Sequence, residues 1–106
     1  MYKLLNVNKR IENGKEKEVN VLIENPKAKI VQVTLRKNKI IESHKTNVPI
    51  IIQCIAGYGQ LVVENGIDSK QVSLSPGTVI AIEAEVFHSI TAKPSVSIVL
   101  IKLSNS

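Results

Sequence analysis

The stretch SPGTVIAIEAEVFHSI, residues 75–90, decides how this chain reads. Ser75-Pro76-Gly77 is a turn signal, and an extended segment follows it. From Ile80 onward the even positions are Ile80, Ile82, Ala84, Val86, His88 and Ile90. Residues two apart on a strand share a face, so one histidine stands in an otherwise apolar row. That row is read as a barrel interior, with His88 pointing inward. Glu83, Glu85 and Phe87 fall on the opposite parity and are expected to face outward.

The same reading extends in both directions. VNVLIE (19–24), KIVQVTL (29–35), IIESHK (40–45), VPIIIQCIAG (48–57), QLVVE (60–64), SKQVSLS (69–75) and VSIVLIKL (96–103) all read as strands. Between them lie Asn25-Pro26, RKNK, a Gly57-Tyr58-Gly59 bend, Asn65-Gly66 and Lys93-Pro94, each a turn or break signal. The segment 78–92 is expected to run as one strand and to end at Lys93-Pro94. No segment keeps a helical period over three turns with caps. The apolar residues are 15 Ile and 13 Val against 8 Leu, with no Trp and one Phe. Branching at Cβ suits a pleated surface, so composition and pattern agree on an all-β sandwich or barrel.

The 106 residues are expected to form a single domain spanning 1–106, with residues 1–18, beginning YKLLNV, as an edge strand or arm. The net charge of +5 is uneven: residues 1–46 carry +6 and residues 47–106 carry −1. Twelve of the 14 basic residues are lysines, interleaved with glutamates as in KRIENGKEKEVN. With two arginines and few aromatics, this reads as a solvated face with protected strand edges, not a nucleic-acid surface. One cysteine excludes an intramolecular disulfide framework. The apolar runs are too short to cross a bilayer as helices, and the expected location is the cytoplasm.

SHKTNVP (43–49), Gly57 and the segment 75–90 together resemble the cupin superfamily. The resemblance covers roughly residues 28–103 and implies a jelly-roll β-barrel, the double-stranded β-helix. Gly77, the strand TVIAI, three residues, and then Val86, Phe87 and His88 hold the spacing of the family's second motif, with Glu83-Ala84-Glu85 in place of Pro-x-Gly. In the first motif His44 fits the first histidine and Gly57 the closing glycine. Thr46 stands where the second histidine would be and Ile50 where the glutamate would be. The resemblance implies a metal held by three histidines and one glutamate, and only His44 and His88 remain of that set.

Parity places His44 and Thr46 on one face, extending to Ile50, Ile52 and Cys54, so both histidines are expected to reach one cavity from opposed strands. The expected ligand pocket is His44, Thr46, Ile50, Ile52 and His88. His44 and His88 are the candidate ligands for a weakly held divalent metal, zinc, nickel, iron or manganese, because a durable site needs at least three protein ligands. Cys54 is read as a small buried core residue and Tyr58 as an anchor at a bend. Ser43 and Ser89 lack the glycine pattern of a nucleophile elbow, and neither histidine has a carboxylate to orient it in sequence. The expectation is a small-molecule-binding barrel without a complete family metal site. The alternative is a dioxygenase- or isomerase-like enzyme using a weak two-histidine metal or metal-free acid/base histidines. Exposed sheet edges favour a homodimer; nucleic acid and membrane are not expected partners.

Overall fold

The computed structural model describes residues 2–104; Met1, Asn105 and Ser106 lie outside the described residues. It contains seven strands, β1 (Lys17–Glu24), β2 (Ala28–Leu35), β3 (Ile40–His44), β4 (Ile50–Asn65), β5 (Asp68–Leu74), β6 (Val79–Ile82) and β7 (His88–Leu103), all paired antiparallel. Among the described residues no helix is long and apolar enough to cross a membrane.

The two long strands, β4 and β7, are the spine. They pair with each other over most of their length, and each changes its outer partner halfway along. β7 pairs β3 through His88–Thr91 and β2 through Val96–Leu103. β4 pairs β6 through Ile50–Gln53 and β5 through Gly59–Asn65. The change of partner falls at a corner. There β4 shifts register between Cys54 and Ala56 and again between Gly57 and Gly59. Gly57 has φ +73°, and a Cβ there would stand 2.2 Å from the Ser95 carbonyl oxygen. Only glycine meets both conditions, so the bend is written into that position.

The structure corrects three expectations. Residues 50–57 and 60–64 belong to one bent strand, β4, because the glycines bend the ladder without ending it. Pro94 does not break β7: residues 93–95 are unpaired in the register, so a residue with no N–H costs no ladder hydrogen bond. The segment 78–92 does not run straight through. It turns at Ala84–Glu85, where Glu85 adopts φ 67° and its N–H donates to the Thr46 carbonyl at 2.8 Å.

The remaining turns follow their residues. Asn25 closes the β1–β2 hairpin by accepting the N–H groups of Lys27 and Ala28 on its side-chain oxygen at 2.9 and 3.1 Å. Lys37 and Asn38 both sit at φ 57°, and this turn carries the chain from one layer to the other; β3 pairs with β7, not with β2.

The strands bury β-branched side chains against one another, as their alternation predicts. Leu35, Ile52, Leu61, Ala92 and Val96 are fully enclosed. Tyr2–Val7, expected as an edge strand, forms none. From Asn8 to Glu16 the chain instead lies against the outer face of β2 and its end at Arg36. There Arg36 Nε donates to the Ile11 carbonyl at 2.8 Å, and Gln32 Nε2 donates to the Asn8 carbonyl at 2.6 Å.

Candidate functional site

On the inner side of β1, β2 and the second half of β7 the packing leaves a cavity of about 250 Å³. Alternation supplies its walls. Val19 and Val21 from β1, Val31 and Val33 from β2, and Ile98 and Leu100 from β7 project into it. The far side is closed by Ile41, His44, Thr46, His88 and Ile90. Val19 and Val21 are each 53% exposed, so the β1 wall is also the open side.

His44 and His88 stand opposite each other in the β3–β7 register, with ring centroids 4.5 Å apart and planes inclined at 56°. They therefore reach the cavity from adjacent paired strands, which corrects the expectation of opposed strands. Their wiring is the same. Each Nδ1 lies 3.0 Å from the backbone carbonyl two residues earlier, Glu42 for His44 and Val86 for His88. A carbonyl only accepts, so the proton of each neutral ring sits on Nδ1 and the bare lone pair on Nε2.

Their burial differs. His44 is exposed, whereas His88 is 1% exposed. His88 Nε2 is buried and has no protein hydrogen-bond partner. Burial disfavours the imidazolium and lowers the His88 pKa below its ordinary 6.5; the Val86 carbonyl opposes that shift, and the charge of His44 adds to it. At neutral pH His88 is thus an uncharged ring that lines the cavity, with its acceptor nitrogen enclosed by the packing beside it.

Thr46 lies in the loop after β3, where its hydroxyl donates to the Val48 carbonyl at 2.8 Å. It lines the cavity with the two histidines. Ile50 and Ile52 do not, which corrects the expected pocket: they pair with β6 and β7 and are sealed in the core. Parity was right about their face, but the chain leaves β3 at His44 and re-enters the sheet elsewhere. Cys54 is fully buried, and burial raises its thiol pKa, with the Ala56 backbone bond pulling the other way. Glu83 and Glu85 are exposed, as is Phe87.

Sequence reading missed the walls from β1, β2 and the second half of β7, and with them Lys17, Lys29 and Lys102. The signal was present as alternation in KIVQVTL and VSIVLIKL. What the sequence did not carry was which strands became neighbours.

The architecture is a double-stranded β-helix, the fold of the cupin superfamily. Solved structures agree. A cupin superfamily protein from Desulfitobacterium hafniense superposes with a TM-score of 0.76 at 13% identity, covering 93% of this chain and 84% of that one. An RmlC-like cupin from Methanocaldococcus jannaschii gives 0.75 at 18% identity over 88% of this chain and 84% of its own. KdgF from Halomonas sp. gives 0.72 at 18% identity over 86% and 82%. Identities this low establish the fold alone. No family model matches the sequence, and no curated protein matches it either.

The cupin resemblance implies a metal, and the donor set can be tested for it. Each Nδ1 is held by a backbone carbonyl, the second bond that metal-bound imidazoles commonly make, which leaves Nε2 as the donor atom. Yet Thr46 and Ile50 replace the other ligands, and among the described residues no three of His, Cys, Asp or Glu come together to hold an ion. Two imidazoles do not fit a protein-held centre of three or four ligands.

Proposed function

We propose that this chain is a small-molecule-binding barrel whose ligand occupies the cavity between β1, β2 and the histidine pair. The observation that carries the reading is His88 Nε2. A buried polar atom without a partner costs roughly 1–3 kcal/mol, and native interiors seldom tolerate it. A hydroxyl or N–H donated by a ligand would satisfy it. The surrounding walls are apolar, as pockets for small organic molecules are, and the volume suits a ligand smaller than a drug.

Fragment screening by NMR on the protein and on His88→Phe tests this. Hydroxyl-bearing fragments are expected to shift the amides of His44, His88 and Ile90, and to bind the variant about tenfold more weakly. Fragments that bind His88→Phe with unchanged affinity would sink the reading.

A second reading is favoured by one observation, the 4.5 Å separation of two imidazoles with matched tautomers. Such a pair can pass a proton between itself and a bound substrate, as a metal-free isomerase would. Dimerisation belongs to the same proposal, through β1, which stands at the end of the strand order with its apolar residues half exposed. Sedimentation giving a single monomeric mass would remove that part.

A further inference from the structure

We propose that the ligand of this cavity is an organic anion with an apolar body, a carboxylate being the simplest form, whose charge is met by Lys29 and Lys102. The inference rests on the small-molecule reading above and names the chemical class of that ligand.

The charged side chains lining the cavity are Lys17, Lys29 and Lys102, and no carboxylate joins them among the lining residues. Lys29 and Lys102 are more than co-lining residues. They stand directly opposite each other in the β2–β7 register. Strand parity puts both on the inner face, Lys29 in line with Val31 and Val33, Lys102 in line with Leu100 and Ile98. Like charges directly opposite on one face of a sheet repel. An anion between them converts that repulsion into two attractions, beside an apolar wall that takes the ligand's body.

The nearby carboxylates do not remove this charge. Glu24 approaches Lys29 only to 3.9 Å, and both side chains are well exposed. Glu85 borders the neighbouring depression that Lys102 shares, but it is held by Lys45 at 3.0 Å. Lys102 and Thr46 line both that depression and the cavity, so the two spaces share a border at these residues. The inner row continues from Lys102 to Ile50 in β4, which is sealed in the core, so on that side of Lys102 the neighbour is apolar.

A matched pair of probes, hexanoate and hexan-1-ol, separates charge from apolar fit. Both are titrated into the full chain and followed by amide chemical shifts. Hexanoate is expected to bind about tenfold more tightly than the alcohol and to shift the amides of Lys29, Lys102 and His88. The preference is expected to shrink as sodium chloride is raised to about 1 M, where screening is short-ranged, while the alcohol's affinity stays constant. Lys29→Met with Lys102→Met keeps the aliphatic stems and removes the charge; it is expected to abolish the preference and spare the alcohol. Equal affinities of the two probes, or a preference that survives both salt and the double variant, overturn the anion inference while the small-molecule reading stands. Failure of both probes to shift any cavity amide overturns the two together. The salt series needs no variant, so a double variant that failed to fold would leave the test intact.

Discussion

β2 and β7 bury polar groups on both of their faces, and the two faces treat them oppositely. On the outer side, under residues 8–16, Gln32, Thr34, Arg36 and Ser97 are buried and every one is partnered. Gln32 Nε2 donates to Ser97 Oγ at 3.0 Å, and the hydroxyls of Thr34 and Ser97 share a bond of 2.9 Å. Arg36 NH1 donates to the Lys15 carbonyl at 2.9 Å and pairs with Glu18. On the inner side His88 is as deeply enclosed, yet one of its nitrogens is left without a protein partner. A satisfied buried network holds a segment in place; an unsatisfied atom beside a cavity is a cost that folding alone does not explain. The outer face is therefore architecture, and the inner face is where binding is to be sought.

The largest effect is expected where the architecture is cut. Arg36→Met leaves the Ile11 and Lys15 carbonyls and the Glu18 carboxylate without their cation. We expect a loss of about 3 kcal/mol, read as a lower urea midpoint. Residues 2–16 should also become more susceptible to trypsin at Lys9 and Arg10. Unchanged stability and digestion would mean that the arm is not held by Arg36, and the contrast between the faces would fall. Gly57→Ala comes next. Its Cβ would meet the Ser95 carbonyl oxygen and, at 2.7 Å, Ile11 Cδ1 of the arm, at a φ that L residues avoid. About 2 kcal/mol is expected, by the same urea measurement.

On the inner face the sign reverses. His88→Leu removes the unpartnered Nε2 together with the Nδ1 bond to the half-buried Val86 carbonyl, and a net gain of less than about 1 kcal/mol is expected at neutral pH, with ligand binding lost. The pH dependence sharpens this. The native pKa of His88 is lowered, so on acidification the unfolded chain takes up a proton before the folded one does. The stability associated with neutral His88 is full above its ordinary 6.5 and is lost as pH falls from there through the lowered native value. Thermal melts of the protein minus those of His88→Leu isolate that slope from the carboxylates. A flat difference would mean that His88 is already satisfied in the native state.

Much of the fold was legible because alternation is a local property. Ile80 and Ile82 in β6 and His88 and Ile90 in β7 alternate as expected within their own strands, although the turn at Ala84–Glu85 interrupts the row between them, and the turns at Asn25-Pro26, Asn65-Gly66 and Pro76-Gly77 separate the strands they were expected to separate. The bends were less legible. Gly57 and Pro94 looked like ends, and only the pairing of β4 with β7 makes them one corner. The site was half legible for the same reason. His44 and His88 lie in strands whose parity could be read, and Thr46 follows β3 closely, whereas Lys29 and Lys102 meet through the β2–β7 register although 73 residues (102 − 29) separate them in the chain. Ile50 and Ile52 face the core as parity expected, but the loop after His44 carries the chain to a place between β6 and β7 where they do not line the cavity.

The smallest effect is expected at the rim, where polar contacts exist without burial. Lys45 joins the Glu85 carboxylate at 3.0 Å and lies 5.5 Å above the Phe87 ring, with all three residues exposed. Exposed pairs contribute between zero and about 1 kcal/mol, because water already solvates both charges and holding two long side chains costs entropy. Lys45→Ala should therefore shift the urea midpoint by less than about 0.5 kcal/mol equivalent. The turn at Glu85 is instead fixed by its backbone bond to Thr46, which the substitution leaves intact. A loss as large as that of Arg36→Met would show that the rim clamps the loop carrying Thr46. The distinction between an architectural outer face and a permissive inner one would then have to be redrawn around the cavity mouth.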